Sequence, residues 1–172
     1  MRVLGIDPGL RLTGFACVTF QTPHPSADVR LNDAGIVRLD DKADIPARLC
    51  VLARELADLI DHNAPELACV EALFTHYQNP RTAIVMAHAR GVILHELARK
   101  GVPIRELPPA LVKKSIAGNG RATKEAVQRA VMVELRLPSI PTPADVADAM
   151  AIATVGGRRV LADRMLTDSG VI

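Results

Sequence analysis

The chain has 172 residues, enough to bury a core without disulfides or a structural metal, and one domain is the expectation. Lys and Arg number 21 against 19 Asp and Glu; the resulting formal net charge of +2 does not by itself identify a nucleic-acid partner, so any basic surface must be local. No apolar run approaches the roughly 20 residues of a membrane span, and the N-terminus lacks the apolar stretch of a signal peptide, which points to a soluble cytoplasmic protein. Cys17, Cys50 and Cys69 are odd in number and widely separated, without Cys-x-x-Cys or Cys/His pairing, and read as buried free thiols in a reducing compartment rather than a zinc site. With three Phe, one Tyr and no Trp, the core must be built from Val, Ile, Leu and Ala.

Strands are expected at Arg2 to Ile6, Gly14 to Phe20 and Val29 to Val37, separated by turn-rich pieces such as Thr22-Pro23-His24-Pro25-Ser26. Leu49, Leu52, Leu56 and Leu59 recur at helical spacing between Pro46 and His62, with Asp44 available as a cap and Pro65 after the end. Leu67 to Glu71 has strand length. Asn79-Pro80 then opens a helix to Lys100, closed by Gly101. Val102 to Leu107 reads as a strand, Pro109 to Ile116 as a short helix, and Thr123 to Leu135 as a helix after the Gly118-Asn119-Gly120 break. Thr142-Pro143 caps a last helix to about Arg164, residues 1–166 forming the domain and 167–172 a frayed tail. An antiparallel meander followed by alternating strands and helices predicts an α/β fold: a mixed five-stranded sheet with helices on both faces.

The chemistry sits in four acids. Asp7 ends the first strand beside the Pro8-Gly9 turn, and Glu71 ends the fourth within the otherwise apolar Cys69-Val70-Glu71-Ala72-Leu73-Phe74. If those strands are neighbours, the two carboxylates meet at the carboxyl edge of the sheet, the customary place for a site in such folds. Asp145 and Asp148, three apart, share one face of the last helix. Structural explanations compete residue by residue. Asp7 can simply initiate a turn; Asp145 stands three after Thr142, at capping-box spacing; Asp148 alone can be a solvated helix residue. As a set, the four make an all-oxygen site suited to magnesium or manganese, two ions of which, roughly 4 Å apart, support in-line phosphodiester displacement.

In order along the chain, Gly5-Ile6-Asp7-Pro8-Gly9, Thr13-Gly14, Val70-Glu71 with Phe74, Ala89-Arg90-Gly91-Val92, Val112-Lys113 and Ala144-Asp145-Val146-Ala147-Asp148-Ala149 resemble the RuvC family of Holliday-junction resolvases, from about Met1 to Ala153. The resemblance implies a ribonuclease-H-like fold and a homodimeric endonuclease. Such an enzyme binds four-way junction DNA and nicks two strands of like polarity with Mg or Mn, during recombination and repair. It further implies that Asp7, Glu71, Asp145 and Asp148 are catalytic and metal-binding, that Lys113 and Lys124 serve near the scissile phosphate, and that a RuvA and RuvB branch-migration motor is a partner. Some relatives carry His where Asp148 stands, so a histidine-assisted variant is not expected.

Lys124 follows a glycine-containing break at a helix N-terminus, a phosphate-attracting position, although an ordinary exposed lysine explains it as well. Lys113 and Lys114 point in different directions, and Lys113 is the one expected to face the site. Arg81, Arg90, Lys114 and Arg121 are candidate contacts to DNA backbone, each also readable as a solvated side chain. Phe74 and Tyr77 are candidates for stacking on an unpaired base, against a core role for Phe74. His76, His88 and His95 read as surface or interface residues. Ala83, Ala87 and Gly91 would permit close helix packing across a dimer. A nuclease acting on structured RNA is the alternative within the fold; a sugar-kinase or actin-like ATPase would need a second lobe and phosphate loop. A non-catalytic DNA-binding module would leave the four acids without a purpose.

Overall fold

The computed structural model describes residues 1–9, 11–72 and 80–169, the side chains of residues 80 and 81 excepted. Strands β1 (Arg2–Asp7), β2 (Leu12–Phe20) and β3 (Val29–Arg38) form the antiparallel meander. Strands β4 (Leu67–Glu71) and β5 (Ile104–Leu107) extend it on the other side, each pairing in parallel, to give the order β3-β2-β1-β4-β5. The strand with Asp7 and the strand with Glu71 are therefore neighbours. Crossovers through α1 (Ile45–Asn63) and α2 (Pro80–Arg99) make those parallel pairings possible.

Alternation along each strand divides the core. Leu4, Ile6, Ala68 and Val70 face one way, against Leu52, Leu56, Ile93 and Leu97 of α1 and α2. Val3, Leu67 and Cys69 face the other way, against α3 (Pro109–Ala117), α4 (Lys124–Glu134) and α5 (Ala144–Asp168). Leu52 and Leu56 are fully buried, each such side chain contributing about 1.5–3 kcal/mol of apolar transfer. Asp44 caps α1 as expected, its carboxylate accepting from the Ala47 N–H at 2.8 Å.

α5 lies directly on the sheet. A Cβ on Gly5 would stand 2.2 Å from the Ala149 carbonyl oxygen, and one on Gly14 would stand 2.2 Å from that of Asp145. Side-chain-free strand positions thus let the helix backbone descend onto β1 and β2. Twelve residues of α5, from Val146 to Leu161, are buried, which explains the missing helical periodicity of this segment.

Four local expectations change. α5 continues to Asp168, past Arg164 and into the expected tail, extended by its Thr167 and Ser169 hydroxyls donating to carbonyls one turn back. β5 begins at Ile104, because the Val102 N–H is used by the Leu97 carbonyl in closing α2. Cys50 is exposed on α1, whereas Cys17 and Cys69 are buried; burial pushes their thiols up to about 11 and about 12. The N-cap of α5 is Pro143, with no side-chain cap bond, so the capping-box explanation of Asp145 fails.

Candidate active site

The period of two that buries Val3 and Gly5 on the α5 side sends Asp7 to that side also, just where the sheet ends. The same parity carries Leu67 and Cys69 inward and leaves Glu71 at the end of β4. The parallel register pairs Gly5 with Cys69 and Ile6 with Val70; one step further it sets Asp7 beside Glu71. Gly14 is the cross-strand partner of Asp7, and because the Asp145 backbone rests on Gly14, the first turn of α5 is held over the same sheet edge. Asp148, one turn on, follows. Three segments far apart in the chain are brought together by two parity rules and one close packing contact.

Gly9, just past β1, is also held in place. A Cβ on Gly9 would stand 1.6 Å from the Leu12 carbonyl oxygen, so only glycine fits. Thr13 is fully buried and ties Gly9 to β2, its hydroxyl donating to the Gly9 carbonyl at 3.1 Å while accepting from the Gly9 N–H at 3.4 Å. The competing explanation of Asp7 as a turn initiator is not needed, and its carboxyl lies among the other acids.

Electrostatics records the convergence. Burial first, then the charges of Glu71, Asp148 and Asp145, push the Asp7 carboxyl from 3.8 up to about 8, against a smaller opposing pull from Lys124. Burial and Asp148 raise Glu71 to about 6, while Lys113, a hydrogen bond from Asp7 and Lys124 act downward. Burial likewise raises Asp148, with Lys124 and Lys113 opposing and Asp145 adding to the rise. Asp7 and Glu71 are therefore both harder to ionise than free carboxyls, Asp7 the more so. Among the described residues, no three His, Cys, Asp or Glu side chains form a closed metal-ligand group. The donor chemistry still fits a hard divalent cation: every candidate ligand is a carboxylate oxygen, and a cation would offset the burial and the repulsion that raise these acids.

Among the described residues, Lys124, the first residue of α4, and Lys113 on α3 are the cations whose fields reach the acids. Lys114, next on α3, is exposed. Arg121 is exposed, its backbone N–H donating to Asn119 Oδ1 at 2.9 Å. His88 and His95 lie exposed on α2. Phe74, His76 and Tyr77 lie outside the described residues, as does the Arg81 side chain.

Arg90 departs from expectation. It is not a solvent-facing arm for DNA but is 6% exposed, with Nη1 donating to the Glu71 carbonyl at 2.6 Å and Nη2 paired to Glu106 Oε2 at 2.6 Å. Helical spacing could have exposed this: Arg90 lies three before Ile93 and seven before Leu97, both fully buried, so a charge occupies a core position.

The model of the family "Crossover junction endodeoxyribonuclease RuvC" matches residues 3–155. A protein of that description from Rhodopirellula baltica is 45% identical over 154 residues, covering 90% of this chain and 84% of the relative. The solved structure "Thermus thermophilus RuvC structure" superposes with a TM-score of 0.82 at 30% identity, covering 96% of both chains. A second, "T. thermophilus RuvC in complex with Holliday junction substrate", has the same TM-score and coverage at 27% identity.

Proposed function

The chain belongs to the RuvC family of crossover junction endodeoxyribonucleases, and we propose that Asp7, Glu71, Asp145 and Asp148 are the acids with which it cuts Holliday junctions. It is a phosphodiester hydrolase with a ribonuclease-H-like fold. The observation that carries the assignment of residues is the meeting of the β1 and β4 ends under the first turn of α5: a half-buried acid crowded by three others is costly unless it binds cations or protons.

In this reading the four carboxylates hold Mg2+ or Mn2+, two ions per site. Bound there, such ions lower the pKa of attacking water and offset charge on the leaving oxygen. The chain's own residues do the rest. Asp7 and Glu71, both harder to ionise than free carboxyls, would have to be ionised to hold a cation; Lys113 and Lys124 place positive charge where a backbone phosphate approaches and keep the acids more readily ionised. Phe74, Tyr77, Arg81, Lys114 and Arg121 are proposed DNA contacts.

A symmetric junction presents two equivalent strands, and a two-fold homodimer is its economical reader. We place that interface on α2, where Ile84, Ala87, His88, Gly91 and His95 form an exposed stripe and nothing lies within 4 Å of a Cβ built on Gly91. A cytoplasmic location, a role in recombination and repair, and partnership with a RuvA and RuvB motor complete the reading. Among the described residues no helix is long and apolar enough to cross a membrane.

The test is metal-dependent nicking of a synthetic immobile four-way junction beside linear duplex and structured RNA. The expected result is paired, symmetric nicks in the junction alone, with a dimer in sedimentation. Equal cutting of duplex, or preference for the RNA, overturns junction selectivity; a monomer at working concentration overturns the α2 interface.

A further inference from the structure

Arg90 is the one buried guanidinium beside the acid cluster among the described residues, and the proposed chemistry does not use it. Its surroundings show what it does. Glu71 is the last residue of β4, and on the β5 side the Ala72 N–H reaches the Leu107 carbonyl at 2.8 Å. That bond holds the Glu71–Ala72 peptide on the β5 side only: the β1 register ends one residue earlier, at Ile6 and Val70, so the Glu71 carbonyl on the opposite edge needs a partner from elsewhere. Arg90 rises from the buried face of α2 to meet this residue. One nitrogen of its fork takes the Glu71 carbonyl oxygen at 2.6 Å, and the other takes the Glu106 carboxylate at 2.6 Å from the neighbouring strand, where Glu106 pairs with Val70.

We propose that Arg90 is a positioning residue that fixes the carboxylate of Glu71 for cation binding by clamping the Glu71 backbone to α2 and β5. It meets the carbonyl of Glu71 and not its carboxylate, so it withholds no ligand oxygen from a metal. A planar fork with two donors suits the task because one side chain can hold a carbonyl and a carboxylate at once; a lysine ammonium has no such fixed geometry. Glu106 is half exposed and orients the buried guanidinium from the solvent side. The device explains why a charge stands at a core position of α2: the helix supplies the rigid frame, and the arginine transfers its position to a strand end at the rim of the site. Oriented backing of this kind around metal ligands typically contributes about 10- to 100-fold in affinity or activity.

The inference rests on Glu71 being a site acid, and the experiment separates the two. Arg90→Gln, Arg90→Lys, Glu106→Gln and Glu71→Gln are compared with the parent by thermal melting, by junction binding in EDTA, by free Mn2+ in a direct binding titration read by electron paramagnetic resonance, and by nicking against Mg2+ concentration. Both Arg90 variants are expected to bind the junction as the parent does. Their Mn2+ affinity should fall and their Mg2+ midpoint rise by about 10-fold or more, with a lower nicking rate at saturation. Glu106→Gln keeps an acceptor for the guanidinium and should shift the same midpoints in the same direction by less. If Arg90→Gln does not fold, Arg90→Lys and Glu106→Gln decide between the outcomes through the same measurements. Parental Mn2+ affinity and Mg2+ midpoint in a folded Arg90→Lys overturn the clamp, as does equal loss of junction binding and nicking with an unmoved midpoint. Parental nicking by Glu71→Gln overturns the reading of Glu71 instead; inactive Glu71→Gln beside normal Arg90 variants leaves that reading intact and removes only the clamp.

Discussion

Replacing Asp7 by Asn separates the cost of assembling the acids from the chemistry they perform. In the folded chain the Asp7 carboxyl is raised from 3.8 to about 8, a displacement of about four on the pH scale. Between those values the folded state holds a proton that the unfolded chain has released, so stability falls as pH rises through that window and is lowest above it. At about 1.4 kcal/mol per pH unit the full cost would approach 6 kcal/mol. Relaxation and water penetration reduce it, and with the lost hydrogen bond to Glu71 a net gain of about 2–3 kcal/mol is expected for the variant at about pH 8. For a chain of this size that corresponds to about 5–10 °C in melting temperature. At about pH 5 only a quarter or so of the window has been crossed, and the difference should nearly vanish. Melting by circular dichroism in EDTA across this range measures it directly. Adding Mg2+ should then raise the parent and leave the variant behind, since binding to the native state stabilises it in proportion to affinity. Junction binding should persist in the variant while nicking is lost. A variant less stable than the parent at about pH 8 in EDTA, or a difference independent of pH, would refute the argument that Asp7 is held against desolvation and the repulsion of its neighbours.

Two further substitutions probe how the site is placed and tuned. Gly14→Ala puts a methyl group 2.2 Å from the Asp145 carbonyl oxygen and 2.6 Å from its carbon, so the first turn of α5 must lift. We expect a loss of about 1–3 kcal/mol in stability and a larger proportional loss of nicking, measured by melting and by junction assay; unaltered nicking would show that this contact does not set Asp145. Lys124→Ala removes a cation that acts downward on Asp7, Glu71 and Asp148, so all three carboxyls rise. The acidic limb of the pH–rate profile should therefore move to higher pH, and a limb that stays in place contradicts the proposed proximity.

Much of the site is legible in the chain because the strands obey a period of two. Asp7 and Glu71 each close a run whose alternate residues are apolar, and their parity sends both to one face once β1 and β4 are neighbours. That adjacency is the part the pattern leaves open, because the connection from β3 through α1 passes over β2 and β1 before β4 pairs with β1. The basic residues divide differently. Lys113 and Lys124 stand out by motif, and the structure places both within electrostatic reach of the acids. Arg90 reads as a surface arm only while its charge outweighs its position; the helical spacing to Ile93 and Leu97 holds the better information. Asp145 is ambiguous for the opposite reason. Its spacing from Thr142 satisfies a capping rule that the backbone does not use, since Pro143 occupies the cap. Local rules describe what a residue can do, and here a contact remote in sequence decides what it does.

That remote contact is the close approach of α5 to the meander. A helix separated from a sheet by ordinary side chains lies about 10 Å away, the spacing of packed layers, and its first-turn acids would then stand clear of carboxylates at the sheet edge. Gly5 and Gly14 remove the side chains that would keep the layers apart, and the backbones of Ala149 and Asp145 take their place. The bulk needed to hold the helix is supplied farther along, where the Phe20 ring sits beneath Gly157 and the Cys69 thiol beneath Gly156. Glycine therefore alternates between sheet and helix along the contact, from the strands at the site end to α5 at the far end. The helix is brought lowest where Asp145 and Asp148 must meet Asp7 and Glu71, so the spacing of the four acids is set by core packing as much as by the acids themselves.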